Sequence, residues 1–257
     1  MPPDRYVGLD LAWGERNRTG LAAIDERGAL CEMRTVGTDD EIAEALRPYD
    51  DVLVGVDAPL IVRNETGTRA CERDLNADFA RFQAGCHPSN RSRPWFADGG
   101  RAWRLAILLD LATDPGSTAR RRIIEVYPHP ATVVLFGLDR TLKYKRRNRD
   151  LSTRRRAFTD LLGHLESLQL ADPPLTLGGN AAWLRTRRQV EHAQRHADLD
   201  RLEDAVDAII CAYVALFAAR RPELTSTYGS AADGYVVTPA LPTRQPPSSI
   251  TRGSPAR

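Results

Sequence analysis

The sequence predicts an α/β protein: a mixed sheet covered by helices on both faces. The chain opens with three strand-like segments in a meander, and helical and strand-like segments then alternate. Late in the chain, Asp204-Ala-Val-Asp-Ala-Ile-Ile-Cys-Ala-Tyr-Val-Ala-Leu-Phe217 is apolar almost all the way round, as a buried helix is. Length and element order agree on one domain over residues 1–239, with an inserted helical and loop region at 60–98 and a tail at 240–257.

Residues 6–13 read as a strand with an acid, Asp10, between Leu9 and Leu11. Residues 19–25 form a second strand, Glu26-Arg-Gly28 a turn, and residues 29–36 alternate as a third. Thr38 and Glu41 have the spacing of a capping box, so a helix starts there and ends near Pro48. Residues 51–57 are a short, continuous apolar run typical of a buried parallel strand, stopped by Ala58-Pro59. A helix follows over about 70–82, then an apolar helix over 101–112, closed by Asp114-Pro-Gly116. Residues 122–127 are a strand, and 131–136 a short helix between Pro130 and Gly137. Helices are expected over 153–169, 180–197 and 201–220, with Gly178-Gly-Asn180 as turn and cap. Residues 234–238 read as a last short strand. The tail is rich in Pro, Ser, Thr and Arg, has no apolar period, and is expected to be disordered.

Composition excludes several classes. The 257 residues are 42% hydrophobic, enough for a sizeable core, and no apolar run approaches a bilayer span. Four scattered cysteines do not make a disulfide scaffold, and no signal-peptide apolar region is seen, so a cytoplasmic setting is expected. No GxxxxGK loop is present, which excludes a P-loop ATPase. The formal charge of +2 hides an uneven distribution: Arg140–Arg156 carries +8, so the rest of the chain carries −6. Such a run is either a solvated loop and helix face or a surface for a polyanion.

Four further observations concern acids. Asp10 interrupts a strand, where acids are depleted, and Asp57 ends a buried one. Glu125 lies inside Ile-Ile-Glu-Val-Tyr, and Asp204 and Asp207 open the apolar helix at a spacing that puts both on one face of its first turn. Each has an ordinary explanation. Asp57 can form an Asx turn, Asp204 and Asp207 can favour the helix N-terminus, and Glu125 can pair with an arginine such as Arg69 or Arg73. Together they suggest a cluster at one sheet edge, and carboxylates without Cys or His ligands favour the hard cations Mg²⁺ or Mn²⁺. Cys71, Cys86 and His87 lack zinc spacing and read as packing.

Val7-Gly-Leu-Asp10 at the head of a three-strand meander, and Val54-Gly-Val-Asp57 ending the fourth strand, resemble the ribonuclease H-like superfamily. Asp204-Ala-Val-Asp207-Ala resembles the final helix of its Holliday-junction resolvase branch. More specifically, the chain resembles the family called domain of unknown function 429. The motifs that carry this are Gly8-Leu-Asp-Leu-Ala-Trp-Gly14, Val56-Asp-Ala-Pro-Leu60, Arg69-Ala-Cys71, Glu125-Val-Tyr-Pro-His-Pro130, Glu203-Asp-Ala-Val-Asp-Ala208 and Gly234-Tyr-Val-Val-Thr-Pro239. That family is described as predicted ribonuclease H-like nucleases.

The resemblance implies a five-stranded mixed sheet and a divalent-metal-dependent nuclease using two ions. By position, Asp10 would bridge both ions, Asp57 would hold one, and Asp207 with Asp204 the other. Glu125 is a family-specific site residue, or a buried acid paired with arginine. Lys143, after the fifth strand, is a catalytic candidate. Lys145, Arg146 and Arg147 would meet backbone phosphates of a nucleic acid, as would Arg69 and Arg73 from the insertion. Arginines with Trp95 and Phe96 in 60–98 suit an anionic, stackable substrate, although a lid packing Trp95 into the core is the favoured reading. The rivals are a catalytically silent binding module on the same fold and an actin-like or sugar-kinase-like ATPase.

Overall fold

The computed structural model of the chain describes residues 3–14, 17–145 and 148–242. The expected tail from 243 onward, and Arg146 and Arg147, lie outside the described residues. At the centre are β1 (Arg5–Asp10), β2 (Thr19–Asp25), β3 (Leu30–Val36), β4 (Val52–Val56) and β5 (Arg121–Glu125), in the spatial order β3-β2-β1-β4-β5. β1, β4 and β5 run parallel, while β2 is antiparallel to both its neighbours. This mixed sheet, flanked by helices, is the architecture expected, and it is consistent with a ribonuclease H-like fold. The helices are α1 (Asp39–Leu46), α2 (Ala70–Phe79), α3 (Arg101–Leu108), α4 (Pro128–Phe136), α5 (Leu151–Ser167), α6 (Ala181–Glu191) and α7 (His196–Arg220). A hairpin of β6 (Thr225–Ser230) and β7 (Gly234–Pro239) closes the described chain. No helix among the described residues is long and apolar enough to cross a membrane.

Local chemistry explains most element ends. Thr38 and Glu41 form the reciprocal capping box on α1, and Asn180 caps α6 by accepting from the N–H groups of Ala182 and Trp183. α4 starts at Pro128 rather than 131, because a proline in the first turn has no N–H to leave unpaired. β6 escapes the sequence pattern: Thr-Ser-Thr-Tyr-Gly-Ser has no buried face, and only its pairing with the fully buried β7 makes it a strand. The 60–98 region is folded onto the rest through a small core of its own, Cys71, Leu75 and Phe79 against Val133 and Val236.

Two differences move the site residues. β1 ends at Asp10, where the chain leaves the sheet, so Asp10 is the last residue of its strand and not an interruption within it. α7 starts at His196, five residues earlier than expected, and takes in Asp198, whose carboxylate accepts the N–H of Arg195 at 3.0 Å. Asp204 and Asp207 therefore stand two to three turns inside the helix. Interaction with the helix N-terminus fades beyond the first turn and does not account for them.

α7 lies directly on the sheet. A Cβ built on Gly20 of β2 would come within 1.7 Å of the Asp204 carbonyl oxygen. One on Gly8 of β1 would come within 1.8 Å of the Ala208 oxygen, and one on Gly55 of β4 within 2.4 Å of the Cys211 oxygen. The helix thus crosses β2, β1 and β4 along a track with no side chains on the sheet side. Gly8→Ala is expected to destabilise the protein by about 3 kcal/mol or more, because backbone rather than a flexible side chain blocks the added methyl. Gly163→Ala, in α5 with no atom within 4 Å of the added carbon, is expected to stabilise it by about 0.5–1 kcal/mol. Urea unfolding of both variants checks the pair.

Candidate active site

Register decides which acids meet. Gly8 pairs with Gly55 and Leu9 with Val56, so Asp10 and Asp57 stand at neighbouring ends of parallel strands. The Asp57 N–H donates to the Leu9 carbonyl at 2.8 Å. Strand residues two apart share a face, so Asp10 lies on the face of Gly8 and Asp57 on that of Gly55, the face that α7 covers. Asp10 also pairs with Gly20, over which the Asp204 carbonyl sits. Asp207, one helical step further, is completely buried beside them. Three separate segments, the ends of β1 and β4 and one face of α7, therefore bring Asp10, Asp57, Asp204 and Asp207 to one end of the sheet.

The centre of this cluster holds an ammonium. Lys145 Nζ makes an ion pair with Asp207 and lies 3.7 Å from Asp10. Asp207 accepts from the Tyr144 hydroxyl at 2.5 Å through Oδ1, while its fully buried Oδ2 faces the Lys145 ammonium. Burial works against the charge on Lys145, yet Asp207 and Asp10 outweigh it and hold the ammonium well above the ordinary lysine range. Burial raises the Asp10 carboxyl well above its ordinary value. Lys145 opposes that shift, and Asp207, Asp57 and Asp204 add to it. Asp57 is pushed up to about 7 by burial, and Asp204 is raised for the same reason.

Lys145 is placed by a residue the basic run conceals. Arg154, on α5, is completely buried, and its Nε donates to the Tyr144 carbonyl at 2.6 Å. Its other nitrogens reach α7, donating to the His196 carbonyl at 3.2 Å, to Asp200 at 2.6 Å and to Glu203. Of the other basic candidates, Lys143 is half-buried and, with Lys145, acts on His129. Burial first, then these lysines, lower the His129 imidazole to about 4, so it is neutral at pH 7. Arg73 is exposed and donates to the Thr68 carbonyl at 2.6 Å.

Glu125 belongs to a different network. It pairs with Val56 in the sheet, so strand alternation turns it away from the face of Asp57. Arg69 clamps it with two bonds of 2.6 and 2.8 Å, and the Leu60 N–H adds a third at 2.8 Å. Arg69 also donates to Glu72 and to the Ile61 carbonyl. The geometry is that of the arginine-paired buried acid, and four of the five N–H donors of Arg69 are used within the protein. A cleft of about 420 Å³ nevertheless opens beside this network, lined by Asp57, His87, Tyr127 and Trp13. Burial pushes the Cys71 and Cys86 thiols up to about 12, as expected of packing cysteines. Trp95 departs from the favoured expectation: it is 48% exposed, and Phe96 takes the buried position instead.

Among the described residues, no three His, Cys, Asp or Glu side chains are grouped closely enough to ligate one ion. One feature of the acidic cluster still suits a cation: the Lys145 ammonium stands against the fully buried Asp207 Oδ2, where positive charge is needed. The donors around it are all carboxylates, the set that hard divalent ions favour.

Fold and site together define a mixed α/β protein with a carboxylate cluster at the ends of its parallel strands, closed by one long helix. Residues 8–232 match the model of the family described as protein of unknown function DUF429, and the chain belongs to that family. No curated protein matches it at a significant level.

The raised carboxyls give a signed pH dependence. The folded chain keeps protons on Asp10, Asp57 and Asp204 that the unfolded chain releases near pH 4, so stability falls as pH rises from about 4 through about 7. In chelating buffer, melting temperature is expected to decline across this window and Asp57→Asn to flatten the decline. An unaltered slope in the variant would show that Asp57 ionises like an exposed carboxylate.

Proposed function

We propose that this chain is a divalent-metal-dependent nuclease that hydrolyses phosphodiester bonds in DNA or RNA. The observation that carries the reading is the placement of Asp10, Asp57, Asp204 and Asp207 at one end of the sheet, with the Lys145 ammonium against Asp10 and Asp207. The carboxylates of Asp10, Asp57, Asp204 and Asp207 would hold Mg²⁺ or Mn²⁺, which supplies an activated water and counter-charge for a leaving oxygen. Tyr144 holds Asp207 in place by donating to it, and Arg154 fixes the loop that carries Tyr144 and Lys145. Lys145, now paired with Asp207, would yield that place to the ion and pair with a substrate phosphate. Lys143 and Arg73, with Arg146 and Arg147 as the sequence offers them, would meet the nucleic-acid backbone through contacts that carry no base identity. Glu125 and Arg69 hold the strand end and the insertion together beside the cleft. Cysteines 31, 71, 86 and 211 are unpaired, which supports a reducing, cytoplasmic setting.

Asp10→Asn keeps the shape of the side chain and removes its charge. It is expected to abolish Mn²⁺-dependent cleavage of labelled single-stranded, duplex and branched DNA and RNA while the circular dichroism spectrum stays that of the wild type. Cleavage surviving in the variant would sink the nuclease reading.

Lys145→Met tests the stand-in cation separately from turnover. Without an internal competitor, Mn²⁺ affinity measured by titration calorimetry is expected to rise about tenfold or more. Melting temperature without metal is expected to fall, because Asp207 loses its counter-charge. Equal Mn²⁺ affinity in both proteins would show that the ammonium does not hold a cation's place. No Mn²⁺ binding in either would favour the catalytically silent module.

A further inference from the structure

We infer that Trp95, propped on Trp13, is a stacking shelf for an unpaired nucleobase of a strand whose phosphate lies at the acidic cluster. The inference rests on the nuclease reading for the identity of the strand, and on separate observations for the shelf. Trp95 is the one aromatic among the large apolar side chains that stand exposed within the described residues. Its exposure is imposed locally. The single turn Pro94–Phe96 sends Phe96 into the core at 2% exposure, which leaves its neighbour pointing outward. Trp13 meets both rings edge-on, Phe96 at 5.1 Å and Trp95 at 6.1 Å between centroids. The Trp95 ring is thereby braced from one side and open on another.

The shelf is continuous with the acidic site. Trp13 follows Asp10 by three residues, so their Cα atoms are at most about 11 Å apart. Trp13 also lines the cleft that contains Asp57 and Tyr127, and on its other side lines an open cleft of about 1100 Å³ with Trp95, Asn17, Asp98 and Arg104. That second cleft sets an aromatic face beside a guanidinium, an amide and a carboxylate, the group types that stack on and hydrogen-bond to nucleotides. The span from Asp10 is on the order of one or two nucleotide steps. Within a duplex, away from its ends, each base face is covered by its neighbours, so a single projecting indole reaches a base face only in an unpaired strand.

Binding in chelating buffer tests this without turnover. The probes are fluorescein-labelled oligodeoxyuridylate and oligouridylate of about twelve nucleotides, which differ only in the sugar, and a DNA duplex of about forty base pairs, in which nearly every base face is covered. Anisotropy titrations compare full-length wild type, Trp95→Ala and Trp95→Phe. Trp95→Ala is expected to weaken binding of one or both single strands about tenfold, with Trp95→Phe within about threefold of wild type and duplex affinity unchanged. Whichever single strand responds identifies the sugar. Equal affinity in Trp95→Ala, an equal loss for duplex, or no binding of either single strand by wild type would overturn the shelf. If the expected pattern appears but Mn²⁺ gives no cleavage, the shelf stands and the nuclease reading falls. If cleavage occurs and Trp95→Ala binds as wild type does, the shelf alone falls.

Discussion

The contact on which the rest depends is that between the α7 backbone and the glycines of three adjacent strands. Gly20, Gly8 and Gly55 form a track without side chains, and carbonyl oxygens of Asp204, Ala208 and Cys211 lie over it in that order. A helix held by side-chain interdigitation sits about 10 Å from a sheet and can shift by repacking. One held by backbone against Cα is confined to a single line, because any displaced register meets a side chain. This confinement brings Asp204 over the partner of Asp10 and Asp207 to the strand ends. The precision of the acidic cluster is therefore a property of three residues that carry no functional group.

Charge is the second organising force. Buried carboxylates are unfavourable without counter-charge, and the protein supplies it in three separate places. Lys145 serves Asp10 and Asp207, Arg69 serves Glu125 and Glu72, and Arg154 serves Glu203 and Asp200. The two arginines are buried and use planar forks to hold several elements at once. The lysine is a flexible point charge, still partly exposed, in the one network where four carboxylates gather. That difference separates the structural networks from the one suited to exchange its cation.

Much of this was legible in the chain. The meander, the buried parallel strand, the capping box at Thr38 and the cap at Asn180 follow from local pattern, because each depends on residues within one element. The four aspartates were legible because an acid beside Leu9 and Leu11, or inside an apolar helix, conflicts with its surroundings. Arg154 was not, since within Arg154-Arg-Arg156 nothing distinguishes a buried arginine from its solvated neighbours. Glu203 had a visible signal, one residue before Asp204 in the same motif, but its partner lies 49 positions away in sequence. Which of the neighbours Trp95 and Phe96 enters the core depended on how the one short turn Pro94–Phe96 sits against the rest of the fold, which composition does not encode.

The sequence by itself determined the fold class, the order of elements apart from β6, and the residues too costly to bury without a purpose. These follow from periodicity, caps and hydrophobicity, all of which act over short stretches of chain. Only the tertiary structure decided which charges meet. Asp10, Asp57 and Asp207 share one face because of strand register and the line of α7, while Glu125 falls on the other face by a single step of alternation. Lys145 is drawn out of a basic run into the acids because electrostatic attraction depends on distance in space, and the loop between α4 and α5 crosses that distance where the sequence shows only a cluster of like charges.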